Sequence, residues 1–437
     1  VSAVSVRGEF AINGRGFAVC ATQFDEVLSN GTKTNWGTVA NDGGIVSFAA
    51  SPQQLLFASA GTVYLFDLIS NTLTTIPEVT FGGPISQVGI CDDFFIALLA
   101  NSKQFFVSGV LDATDWTTNG SAIVEVFPDN IVGMLVDHRE IWFWSDTQSV
   151  VYYDSGNIFP FDVIPGSFIE AGLAAQFTPV QLNNTVYWIG RDSRGTGVAW
   201  VANGYTPQRV SNHAVEFAIQ GYSRIDDAVA FPQQDQGHQF WIIYFPTADK
   251  TWVYDALTNM WHERASLDPA TGFFHAARYQ VHMFLFGKHL VGDWKSGLIY
   301  QMHIPVYTAG VWTFADDNGT PIVRIRRAPH ISNEQKREYF AELQVYVESG
   351  LGPMPPLLDG AGNPRGPEMS LRWSDDGGHT WSDYYIRDCG QAGKFHTRVR
   401  WLRLGRARDR IFEIQCSDPI GWRIVDAYLQ YIAGTGV

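Results

Sequence analysis

Cysteine is scarce in this sequence. Cys20, Cys91, Cys389 and Cys416 lie far apart with no CxxC pair, which argues against a disulfide framework and excludes zinc-finger spacing. Reduced thiols in a protein made in a cytoplasm are the expectation, and the sequons at Asn30, Asn119, Asn183 and Asn318 then carry no information. No run of 18 apolar residues occurs, so neither a transmembrane helix nor membrane insertion is expected. The opening segment, residues 1–10, has no apolar core of signal-peptide length. Basic charge is also in short supply, with 30 Lys+Arg against 44 Asp+Glu and a net charge of −14. The deficit is one-sided. Residues 1–305 hold 14 Lys+Arg and 28 Asp+Glu, whereas residues 306–437 hold 16 of each. A dedicated nucleic-acid clamp needs a basic face, which the acidic part lacks. Such a surface suits DNA that must slide past without sticking.

The usual catalytic signatures are missing too. There is no Walker loop, no GxSxG elbow, no HExxH and no DxDxDG calcium loop. The aspartate pairs Asp92-Asp93, Asp226-Asp227, Asp316-Asp317 and Asp375-Asp376 each sit beside a turn signal, where Asp bonds its own backbone. No metal and no cofactor are expected. His275, His282 and His289 recur at sevens, but their segment reads as strand, which makes them core or surface histidines.

What the sequence does contain is repetition. An alternating apolar strand, a polar residue, a short Asn/Gly/Ser/Thr turn and a second strand recur along residues 1–305. The clearest copies are Thr62–Asp67 followed by Thr72–Ile76, and Thr251–Asp255 followed by Met260-Trp261. With Asp25, Asp67, Ser108, Asp154, Ala202, Asp255 and Asp293 as anchors, the steps are 42, 41, 46, 48, 53 and 38 residues. That is the length of a four-stranded blade. A second apolar strand precedes most anchors, as in Gln54-Leu-Leu-Phe-Ala, Glu140-Ile-Trp-Phe-Trp and His282-Met-Phe-Leu-Phe. The expected fold is mainly β, a six- or seven-bladed β-propeller over 1–305 with no convincing helix, its aromatics packing between blades.

Residues 306–437 read as a smaller β-rich platform or interface domain with one short helix. Ser332-Asn-Glu-Gln335 fits a capping box that would open a helix over 336–343. Residues 350–368, with five Pro and five Gly, predict a long irregular loop, mobile or fixed by a partner. Ser374-x-Asp376-x-Gly378-x-x-Trp381 fits an Asp-box, a structural hairpin turn also found in sialidase propellers. A sialidase-like enzyme would need several converging arginines with an acid and a tyrosine nucleophile. Residues 1–305 have only nine arginines, scattered without pattern, so an enzyme is not expected. Arginine instead gathers at Arg398, Arg400, Arg403, Arg406, Arg408 and Arg410. A solvated strand edge would explain these charges. Arginine makes up 14 of the 16 basic residues after position 305, which favours an interface meeting acidic surfaces through its planar fork.

Several segments together resemble a known family: Ile325-Arg-Arg-Ala-Pro-His-Ile331, the expected helix that opens on Lys336-Arg337, the Leu343–Gly350 strand, Leu371–Trp381, Trp401–Arg410 and Ser417-Asp-Pro419. With Asp92–Ala97 and Phe105–Ser108 they are similar to the packaged-DNA stabilisation proteins of podoviruses, short-tailed phages, also called tail hub or nozzle proteins. The resemblance implies a non-enzymatic virion tail protein assembled in the host cytoplasm. Its partners would be copies of itself in a ring, usually a hexamer, the head–tail adaptor above, and fibre, spike or needle proteins. DNA would pass without specific binding. The alternative left by the residues is a host-surface glycan-binding propeller, a receptor-binding tail protein or lectin.

Overall fold

The computed structural model describes residues 5–192, 195–303, 306–308, 311–313, 319–350, 352–353 and 355–433. The chain divides into two compact units, Val1–Ala265 with His275–Met302, and Ser266–Phe274 with His303–Val437. The Asp316-Asp317 pair and Asn318 lie outside the described residues.

Among the described residues the first unit is a ring of seven antiparallel sheets, over residues 6–38, 47–76, 85–123, 133–163, 172–209, 229–265 and 279–302. Each is a meander of consecutive strands whose first strand packs against the first strands of its neighbours. The blade number is therefore seven. The anchors Asp25, Asp67, Ser108, Asp154, Ala202 and Asp255 all fall in the third strand of their blades, the broken first strand of blade 5 (Gly172–Leu173 and Val180–Leu182) counting as one. The seventh does not. Asp293 ends the second strand of a blade that has three among the described residues, and His282-Met-Phe-Leu belongs to its inner strand, which packs on the first strands of blades 1 and 6.

The aromatics supply the inter-blade cores. Phe17 and Phe24 of blade 1 meet Phe57 and Phe66 of blade 2, and Phe105 of blade 3 meets Phe143 and Tyr152 of blade 4. Trp142, Trp144 and Trp188 join blades 4 and 5, and Tyr187 packs with Trp241 and Tyr254 across blades 5 and 6. Burying one such ring contributes about 3–5 kcal/mol by the cost of deleting it. Among the described residues the ring closes between blades 7 and 1 without exchanging a strand. Val6, Ala18 and Val281 form the apolar seam, and Gln280 Nε2 donates to Val6 O at 2.7 Å. A Cβ on Gly292 would lie 2.5 Å from Val6 Cγ1, so the approach requires glycine.

The propeller also contains a helix that sequence reading did not anticipate, His213–Gln220. Asn212 caps it, accepting from Val215 N at 3.0 Å, and Val215 and Ile219 pack into the core one turn apart. The helix expected at 336–343 is absent. Ile331–Ser332 is a short strand, Glu334 and Gln335 take positive φ, and Glu338–Val347 is a ten-residue strand. Gln335 Nε2 still reaches Ser332 Oγ at 3.5 Å, so the pair read as a capping box spans a turn. The alternation of Phe340, Leu343, Val345 and Val347 into the core outweighs the local cap signal.

The second unit is a β-sandwich. One sheet runs Arg324–Arg327, Asp409–Cys416, Glu368–Ser374, Tyr385–Asp388, with Ile331–Ser332 also on Asp409–Cys416. In the other, Glu338–Val347 is central, with Ile424–Ala433 along one side and Val399–Leu402 and Arg406–Ala407 along the other. Phe340, Val345, Met369, Leu371, Val399 and Trp401 fill the space between them. The 350–368 segment is tied to its own fold. A hairpin pairs Leu357–Leu358 with Pro364–Arg365, and both terminal nitrogens of Arg365 donate to Asp418 at 2.7 Å.

Candidate functional site

The six clustered arginines do not act as one group. Arg410 is buried, donates from Nε and Nη2 to Asp375 at 2.6 and 2.7 Å, and lies over the rings of Phe340, Trp373 and Phe412. It is part of the sandwich core. Arg408 donates Nη1 to Gln335 O at 2.6 Å, and Arg403 sits in a turn at φ 59°. The other three, Arg398, Arg400 and Arg406, point outward from the sheet built on Glu338–Val347. Arg400 grips Glu342 with both Nε and Nη2, and this hydrogen-bonded guanidinium holds the Glu342 carboxyl below its ordinary range. Arg398 and Arg406 make no ion pair or hydrogen bond among the described residues.

The outward face of that sheet carries more than arginine. Cross-strand pairing places Tyr339 beside Ile432 and Arg406, Gln344 beside Tyr428 and Arg400, and Glu342 beside Leu402. Tyr339, Tyr346, Leu402, Tyr428 and Ile432 are all exposed, up to 64% for Ile432. Tyrosine and arginine around an apolar centre are what protein interfaces enrich. A solvated face would alternate apolar with polar instead. These tyrosines escaped the sequence reading, although the signal was present. The outward positions of Glu338–Val347 and Ile424–Ala433 mix Tyr339, Tyr346, Tyr428 and Ile432 with Glu342, Gln344, Asp426 and Gln430, more aromatic than a purely solvated face.

The Asp-box residues form a closed turn between Glu368–Ser374 and Tyr385–Asp388. Ser374 Oγ donates to Asp376 Oδ1 at 2.7 Å and accepts from Gly378 N at 2.8 Å. Asp376 accepts from Thr380 N at 2.8 Å and Thr380 Oγ1 at 2.6 Å, bonds that hold its carboxyl well below the usual range. Gly377 and Gly378 have φ of 73° and 97°. Trp381 Nε1 closes the loop on Gly378 O at 3.1 Å, and Arg372 covers the indole at 4.6 Å. The polar side-chain groups of Ser374, Asp376 and Trp381 are all bonded within the turn, which is a structural arrangement.

Elsewhere in the propeller unit a cavity of about 710 Å³ is bordered by Asp42, Asp226, Asp227, Asp249, His275 and Trp294. Its charged groups already have partners. Asp226 takes Arg224 at 2.6 Å, Asp227 takes Thr247, and Asp249 takes His275 at 2.6 Å. His282 Nε2 and His289 Nδ1 meet each other at 2.9 Å, and burial lowers His282 to about 4. Among the described residues no three His, Cys, Asp or Glu side chains gather as a metal set.

Comparison with known proteins resolves what the two units are. Residues 3–307 match the family described as bacteriophage P22 Gp10, β-propeller, and residues 324–430 match bacteriophage P22 Gp10, β-sandwich. The chain belongs to the bacteriophage P22 Gp10 family. It is thus a structural phage protein of the tail and DNA-stabilisation kind, a virion component. No curated protein matches the sequence. Among solved structures, the extracellular domain of a one-component system from B. thetaiotaomicron aligns at 10% identity and TM-score 0.48, over 89% of this chain and 47% of that one. Virginiamycin B lyase from Staphylococcus aureus aligns at 9% identity and TM-score 0.40, over 67% of this chain and 93% of that one. Likenesses this distant bring no activity with them.

Proposed function

We propose that the chain forms a ring beneath the head–tail adaptor, keeps packaged DNA in the capsid and conducts it outward at ejection. The observation carrying this reading is the division of charge and surface between the two units. The propeller part holds the whole acidic excess, 28 acidic against 14 basic residues over 1–305. The sandwich has balanced charge and an outward sheet face of tyrosine, isoleucine, leucine and arginine. An acidic wall repels phosphate, so DNA passes without being held. The tyrosine and arginine face suits contact with copies of itself or the adaptor.

In this reading DNA runs along the axis of the ring of subunits and not along a propeller axis. The inner strands support that choice, because side chains tie neighbouring and next-neighbouring blades. Gln176 Nε2 donates to Ser86 O at 3.1 Å, and Gln87 bonds Met134 O and Met134 N at 2.8 and 3.0 Å. The test is a retention assay. Particles packaged without this chain should lose their DNA, and purified chain added back should stop the loss. Particles that keep their DNA without it would remove the retention role.

A further inference from the structure

We propose that the outward tyrosine and arginine face of the sandwich in one copy of the chain docks on the outer rim of blades 3 and 4 in a second copy. This rests on the ring reading above and names its contact. Two exposed surfaces of matching polarity and opposite charge carry it.

The first is the face already described, with Tyr339, Tyr346, Tyr428, Ile432 and Leu402 exposed, and with Arg398, which faces Glu342, and Arg406 making no hydrogen bond or ion pair among the described residues; Asp426 sits beside Tyr346 on the same face. The second lies on the propeller. Ser121–Ile123 and Phe161–Val163 are the three-residue outer strands of blades 3 and 4. Ile123, Val126, Ile158 and Val163 are exposed there, Ile158 at 97%. Glu125, Asp129 and Asp162 stand exposed among them. These residues form one patch. Val124 and Phe127 share a core cluster with Tyr152 and Phe161 beneath it. Strand pairing sets Tyr152 beside Val163 and Tyr153 beside Asp162, and burial, then Glu125 and Asp162, push the Tyr152 hydroxyl up to about 12. Lys103, the cation on this edge, is spent inward, its Nζ donating to Phe127 O at 2.5 Å.

Neither surface suits itself. Arginine face on arginine face, or acidic rim on acidic rim, opposes like charges, whereas one on the other buries apolar groups and pairs opposite signs. Because the two surfaces are different, the contact is head-to-tail. Repeated with a rotation that closes, such a contact builds a ring.

The experiment uses two full-length variants. One carries Arg398→Glu and Arg406→Glu, the other Glu125→Arg and Asp162→Arg, with assembly followed by native mass spectrometry and folding by thermal melting. Each alone should weaken association about tenfold or more with an unchanged melting temperature, since every altered side chain is exposed. Mixed in equal amounts, the two should assemble again, because each reversed surface then finds its opposite. Reversed chains that assemble as the parent does would overturn this docking and leave the ring intact. Variants that stay apart even when mixed would overturn the pairing of these two surfaces. A parent chain that stays monomeric at its highest soluble concentration would overturn the ring and the docking together.

Discussion

The propeller and the sandwich are both antiparallel β, yet they treat arginine in opposite ways. The propeller has nine arginines in residues 1–305 and builds its cores from rings and aliphatics between blades. Its buried arginine, Arg7, satisfies loop carbonyls by donating to Ala21 O, Ala40 O and Gly44 O. The sandwich has 14 arginines in residues 306–437 and takes one into the core, where Arg410 is sheltered by three rings and neutralised by Asp375. Other arginines clamp carboxylates, as Arg327 and Arg372 do on Glu413 at 2.5 Å. A repeat array has room for apolar cores at each of its blade junctions. A small sandwich has one core, and arginine stacked on aromatics lets it hold charge and packing in the same place.

Removing Arg410 should be the most damaging change. Arg410→Ala leaves Asp375 without its partner and a hole among three rings, a loss of about 3–5 kcal/mol in the sandwich transition. The propeller's melting should be unaffected, and calorimetry that resolves the two units would check both halves. An equal loss in the two units would break the contrast drawn here. Gly292→Val is the counterpart in the propeller. It drives a side chain into Val6 at the blade 7–1 seam and should cost about 1–3 kcal/mol, read by denaturant unfolding.

Glu9 sharpens the contrast further, because it is a buried carboxyl that the propeller leaves without a counter-charge. It is 8% exposed, neither oxygen has a hydrogen-bond partner among the described residues, and burial raises its pKa well above the ordinary value. The folded state therefore holds a proton that the unfolded chain has released. Stability should fall as pH rises from the unfolded carboxyl's value toward the folded one, by about 1.4 kcal/mol for each unit between them. Glu9→Gln should flatten that fall and stabilise the propeller at neutral pH, measured as melting temperature against pH. The smallest effect belongs to the Asp-box. Ser374→Ala removes bonds to Asp376 and Gly378 and should cost about 1 kcal/mol in the sandwich alone.

The propeller was legible because its signal repeats. Period-2 strands recurring at 38 to 53 residues survive local noise, and six anchors occupy equivalent strands. The seventh misled, since Asp293 ends the second strand of blade 7 and not the third. Single local signals fared worse. Ser332 and Gln335 satisfy a capping pattern, but the alternation that follows buries only as a strand. Asn212 caps a helix too short for its periodicity to stand out from the strands around it. The arginine cluster was visible as composition, but its roles depend on strand parity and turns. Arg398 and Arg400 share the outward parity of Leu402, while the turn before Asp409–Cys416 carries Arg410 into the core. The tyrosine half of the face was hidden because attention to charge overlooked apolar residues at outward positions.

The central claim is that the chain is the wall of a DNA conduit, and imaging the assembled tail by cryo-electron microscopy tests it most directly. The expected image is a closed, rotationally symmetric ring of this chain whose lumen is lined by acidic propeller surface. A ring with a basic lumen, or copies of the chain standing apart from the DNA path, would contradict it.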